Sequence, residues 1–182
     1  MERTLAHVAL FAALIAALGM IPTITLGFGV PITAQSLGIM LCGTVLGARR
    51  GALAVLLFLL LVALGLPLLS GGRGGLGVFV GPTAGFLVGW VAAAYVTGWI
   101  VEKWRAAPLA LVAMIASVIG GIVVLYAFGI VGMSIVLQKS LTEAAVLVVA
   151  FIPGDVAKAI VAGLLTTSLA RVRPRSILSR TS

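Results

Sequence analysis

Between Thr4 and Ala48 the chain has no aspartate, glutamate, lysine or arginine, and further uncharged blocks fill 51–72, 74–101, 106–138, 144–154 and 159–170. Runs of this length leave backbone groups without water. They must satisfy their hydrogen bonds internally, which restricts the chain to membrane-spanning helices or a closed barrel. Barrel strands alternate apolar and polar residues, and these blocks are close to continuous. The expectation is an all-α integral membrane protein. Composition agrees: 62% of residues are hydrophobic and 9% charged, against about 25% charged in soluble domains. The 182 residues suit one membrane domain, 1–182.

A crossing needs about 20 apolar residues. The blocks predict a bundle of six transmembrane helices near 5–21, 33–46, 52–69, 82–101, 108–126 and 155–170. The stretch 127–138 extends the fifth span or lies at the interface. The segment 140–151 begins polar and is too short to cross, so it reads as re-entrant or interfacial. Orientation follows from the basic residues. With N and C termini both cytoplasmic, the inside receives Arg3, Arg49, Arg50, Lys103, Arg105, Arg171, Arg173, Arg175 and Arg180, and the outside only Arg73 and Lys139. Trp99 and Trp104 flank an inner boundary as anchors, whereas Trp90 falls mid-span as packing.

The net charge of +8 sits at the edges of the apolar blocks. It forms no patch with interleaved aromatics, so no nucleic-acid partner is expected; membrane lipid is. Cys42 is the single cysteine and reads as packing. No small-residue cleavage site follows the first block, so no cleavable signal peptide is expected. His7 is the only histidine, placed at a solvated helix end. No cluster suits a metal, no cofactor is implied, and no nucleophile and base converge, so no enzyme is expected.

Asp155 and Lys158 are the exception, alone among ionisable residues between Glu143 and Arg171. Ionisable groups at membrane depth are expensive, and the default reading is a functional site. Their spacing puts them on one helix face. Pro153-Gly154 breaks the chain before them, which predicts a fresh helix with Asp155 at its N-cap. An internal ion pair closing a helix end is the plainer alternative. Two further segments share the outer side. Pro31–Leu37 offers Thr33 and Gln35 as neutral hydrogen-bonding groups, or simply as caps. Gly71–Gly77 precedes Gly81-Pro82-Thr83-Ala84-Gly85-Phe86. Arg73 there suits an anionic ligand group or an exposed loop charge. The glycines are not a phosphate loop, because no Gly-Lys-Ser/Thr follows. In the first span, Ala9, Ala13 and Ala17, and Ala12 and Ala16, repeat every four residues, a pattern that permits close helix approach.

Pro31–Leu37, Leu46–Gly51, Gly65-Leu66-Pro67, Gly81–Leu87 and Phe151–Lys158, in this order and spacing, resemble the BioY family, the biotin-specific substrate-binding (S) components of energy-coupling factor (ECF) transporters. The resemblance covers nearly the whole chain. It implies a six-helix bundle in the bacterial cytoplasmic (inner) membrane that captures biotin from outside. It also implies partners: a transmembrane coupling protein and ATP-binding-cassette ATPases. Carried over, it points to Asp155 and Lys158 as ligand contacts; Thr33, Gln35 and Arg73 of the outer segments, with Thr83, Phe86 and Phe151, complete the expected biotin site. It gives Ala9, Ala12, Ala13 and Ala16 to the coupling protein, with the register open, and makes the loop 22–31 a lid. This chain departs from the family pattern at Ala84 and Phe86, where glycine and tyrosine are usual, and at Leu68-Leu69-Ser70, which lacks an aromatic. The alternatives are an S component for thiamine or riboflavin, and a stand-alone proton-coupled transporter or channel using Asp155 and Lys158 as a relay.

Overall fold

The computed structural model describes residues 2–180. Among them, the helices join into six rods. The first is α1 (Glu2–Gly19). The second is α2 (Gln35–Leu41), continued by a π-helical turn over Cys42–Leu46. Then come α3 (Ala48–Ala63) and α4 (Ala84–Lys103). The fifth rod is α5 (Leu109–Val118), a π-helical turn (Ile119–Val124) and α6 (Leu125–Leu137). The sixth is α7 (Leu141–Val148), a 3₁₀ turn (Val149–Phe151) and α8 (Ile152–Val172). Three rods, Ala84–Lys103, Leu109–Leu137 and Leu141–Val172, are long and apolar enough to cross a membrane; Thr4–Gly19 and Gln35–Leu46 are shorter apolar helices.

The second rod runs through the middle of the bundle, buried along most of its length and packed on α1, α4 and α8. Cys42 is fully buried in it, and Trp90 of α4 is 5% exposed. At one end the chain's tail tucks under the bundle. Ile177 and Ser179 are buried, and the Ser179 hydroxyl donates to the Thr44 carbonyl at 2.6 Å. There the Ala48 N–H, at the start of α3, donates to Glu102 at 2.9 Å.

Two elements depart from the sequence expectation, and the fifth span takes the longer of its two expected forms. The third span, expected over 52–69, is helical only to Ala63. Gly65 takes φ 104°, its N–H bonds the Val62 carbonyl, and the Leu66 N–H bonds that of Leu61. This paired closure ends a helix with a left-handed glycine, and Pro67 cannot resume it. The fifth span continues to Leu137 because the π-helical turn keeps the backbone bonded through its two glycines. The segment 140–151 is not separate from the sixth span: it opens with a capping box between Ser140 and Glu143 and runs through the 3₁₀ turn into α8.

The N-cap expected at Asp155 is also corrected. Helix α8 starts at Ile152 with Pro153 in its first turn, where a missing N–H costs nothing. Asp155 therefore lies about one turn inside the helix, and its carboxylate meets side chains instead of free backbone N–H groups.

Candidate binding site

At the end opposite the tail, the starts of α2, α4 and α8 converge with α6 around a narrow cavity. Its volume is about 60 Å³. A short antiparallel ribbon, β1 (Ile24–Thr25) with β2 (Pro31–Ile32), covers one side. Phe28 in its turn meets Phe151 edge to face at 6.0 Å. Phe151 also meets Phe86 at 6.0 Å and Tyr126 at 6.5 Å. Aromatic edges prefer such tilted contacts, so the three rings form a fixed wall around Phe151.

The charged end of the cavity is one network. Lys158 Nζ lies 2.8 Å from Asp155 Oδ1 and donates to the Ser36 hydroxyl at 3.0 Å. Ser36 donates to Asp155 Oδ1 at 3.1 Å, and the Tyr126 hydroxyl to Oδ2 at 2.8 Å. Asp155 is 5% exposed. A buried charge is tolerable only when paired and hydrogen-bonded, and this one has three donors. A carboxylate offers about four acceptor directions and an ammonium three donors. One acceptor direction on Asp155 Oδ2 and one Lys158 proton are thus uncommitted.

Gln35 makes a second network that leaves nothing over. Its amide nitrogen donates to the carbonyls of Ile15 and Leu68 at 3.1 and 3.0 Å. Its oxygen accepts from the Ser70 N–H at 3.1 Å and the Ser70 hydroxyl at 2.9 Å. Those four bonds are all an amide side chain can make. Gln35 lines the cavity, but as a clamp between α1, α2 and the loop after α3. Thr33 is hydrogen-bonded to Ser70. That loop turns at Gly71 and Gly72, both at positive φ, which L-residues with a Cβ avoid. Leu69 and Arg73 bond each other across the turn, and Ser70 and Arg73 both reach the cavity. Arg73 Nε donates to the Ser70 carbonyl at 3.2 Å. Partial burial lowers the Arg73 guanidinium from its ordinary value, yet such a group stays cationic at neutral pH.

Every residue singled out around the cavity lines it: Thr33, Gln35, Arg73, Thr83, Phe86, Phe151, Asp155 and Lys158. The alanines of α1 separate into two rows. Ala12 is buried and Ala16 packs on the core, while Ala9 and Ala13 are exposed. Ser36, Ser70 and Tyr126 line the cavity without having been legible as site residues in the sequence, and Trp90, expected as packing, lines it as well. Lone serines and tyrosines in apolar runs carry no signal until helix packing brings them together. Ser36 meets Asp155 across 119 positions of sequence.

Helices of this apolarity around a narrow cavity with a buried acid, a base and an aromatic wall define a multi-pass membrane protein built to hold a small molecule. The chain belongs to the BioY family: the model described under that name matches residues 2–175. The chain is 56% identical to the biotin transporter BioY of Rhodobacter capsulatus, over 99% of this chain and 100% of that one. It is 59% identical to the biotin transporter BioY of Rhizobium etli, over 90% of each. Among solved structures it resembles the S component for biotin from an ECF-type ABC transporter, with TM-score 0.88 and 32% identity, covering 93% of this chain and 92% of that one.

Proposed function

We propose that this protein is the biotin-binding S component of an ECF-type uptake transporter and acts by capture, not by catalysis. The observation that carries this is the pairing of one free carboxylate direction on Asp155 with one free Lys158 proton, beneath an aromatic wall. A fused ureido ring is flat, offers N–H donors beside a carbonyl acceptor, and is otherwise apolar. Asp155 would accept a ureido N–H, Lys158 would donate to the carbonyl, and Phe86 and Phe151 would enclose the ring. Arg73, with Thr33 and Thr83 near the other lining segments, would meet the carboxylate tail. Gln35 would hold the wall in place. The ribbon over 22–31 would act as a lid.

In this account six rods cross the bacterial cytoplasmic (inner) membrane as one domain, with both termini cytoplasmic and the cavity opening outward. The excess of arginine at the end far from the cavity supports that orientation. The partners would be a transmembrane coupling protein and ABC-type ATPases. The exposed row of Ala9 and Ala13 would be the contact for the coupling protein, because the other row is already packed inside. No cofactor is needed beyond biotin as the transported ligand. Isothermal calorimetry of the purified protein with biotin, thiamine and riboflavin tests the assignment. One-to-one binding of biotin alone is expected; heat with another vitamin and none with biotin would overturn the substrate.

A further inference from the structure

Tyr126 reaches the cavity just beyond a π-helical turn in its helix. Buried positions along the fifth rod come as the pairs Val112–Ala113, Ala116–Ser117 and Leu125–Tyr126, with the triplet Gly120–Gly121–Ile122 between the last two. The buried stripe is thus one residue wider at 120–122 than on either side. That widening falls on the π-helical turn Ile119–Val124. A π turn inserts one residue into the α-helical count and is frequent at functional sites. One residue is about 100° of rotation, so an unbroken α-helix would turn Tyr126 away from Asp155. The two glycines let the wide turn sit against its neighbours. A Cβ on Gly120 would lie 2.6 Å from the Ala93 carbonyl oxygen, and one on Gly121 2.6 Å from Met40.

The hydroxyl delivered in this way takes one acceptor direction on Asp155 Oδ2, at 2.8 Å. Ser36 and Lys158 fill Oδ1. With Oδ1 closed and Oδ2 half filled, the carboxylate cannot rotate without breaking three bonds. We propose that Tyr126 is a positioning residue: it aims the single free lone pair of Asp155 into the cavity. The site thereby selects a ligand whose polar head presents an N–H donor beside a carbonyl, as cyclic ureas and secondary amides do. This rests on the biotin assignment and narrows the chemistry that the site reads.

Tyr126→Phe keeps the ring against Phe151 and removes only the hydroxyl. Calorimetry should show the dissociation constant for biotin raised roughly tenfold to a hundredfold, the order of a bond to a charged group. The melting temperature of the ligand-free protein should stay within about two degrees of wild type. Asp155 is the only aspartate in the chain, so ¹³C-aspartate labelling isolates its carboxylate stretch in infrared spectra. That band should shift between wild type and Tyr126→Phe with and without biotin. Binding within twofold of wild type would overturn the proposal. So would weaker binding with a lowered melting temperature and an unmoved band, which marks a packing role. If the wild-type protein does not bind biotin, the substrate assignment falls instead, and the band in ligand-free protein still decides whether Tyr126 holds Asp155.

Discussion

Gln35 and Lys158 look alike as polar residues in apolar sequence, but the structure commits them differently. Gln35 spends all four hydrogen-bonding positions on the protein. Gln35→Leu should therefore leave the Leu68 carbonyl and the Ser70 N–H without the partners Gln35 gives them, at roughly 1–3 kcal/mol for each buried group. We expect a loss of about 2–4 kcal/mol of stability before any ligand is added, read as a lower melting temperature of the free protein. An unchanged melting temperature with weakened biotin binding would instead make it a ligand contact. Lys158 keeps one proton free, and Lys158→Ala should weaken biotin binding by about 1.5–3 kcal/mol in calorimetry; unchanged affinity would remove it from the site. Asp155 and Lys158 were legible in the sequence because membrane depth makes charge conspicuous. Ser36 and Tyr126 were not, because a hydroxyl in a helix is ordinary until it is seen which carboxylate it faces. Gln35 was legible as buried and polar, but its saturation depends on carbonyls from α1 and the loop after α3.

The helices shape the cavity as much as the residues lining it. Gly129 of α6 faces the Phe86 ring so closely that a Cβ there would overlap it. Alanine favours a helix over glycine by about 1 kcal/mol, so propensity alone predicts that Gly129→Ala stabilises α6. The contact predicts the opposite for function: the Phe86 ring is pushed into the cavity and biotin affinity falls by at least tenfold in a binding titration. Affinity equal to wild type would show that the aromatic wall is looser than its packing indicates. The departures from expected spans have local causes. Hydropathy runs through Leu64–Leu69, but the closure at Gly65 stops the helix and turns the chain across the cavity mouth. Hydropathy also runs through Ile119–Val124 and gives no hint of the extra residue in that turn. Pro153 reads as a break, yet in a first turn it starts a helix smoothly, and this moved Asp155 from cap to interior.

The molecule has two ends of unlike character: a cavity with aromatic and hydrogen-bonding walls, and a far face where Arg50 and Arg175 share a cleft with Leu178 of the packed tail and Arg105 lies near Arg180. The proposed orientation puts the first outside the cell and the second within. Cys42 is buried, so background labelling should be low. Cysteines introduced at Gly77, exposed in the loop after α3 with open space around a Cβ, and at Ser176 should then react with a membrane-impermeant maleimide in intact cells at the first position only. Labelling of Ser176→Cys alone would invert the topology. Apolar blocks and basic edges carried this level of description, because both are set by the membrane and not by packing. The claim at the centre of the account is that the Asp155–Lys158 end of the cavity reads the ureido group. A crystal structure of the biotin-bound protein tests it most directly. The ureido ring is expected against the wall formed by Phe86 and Phe151, with one N–H on Asp155 Oδ2 and its carbonyl facing Lys158. A biotin whose carboxylate tail occupies that end, with the ureido ring at Arg73, would contradict it.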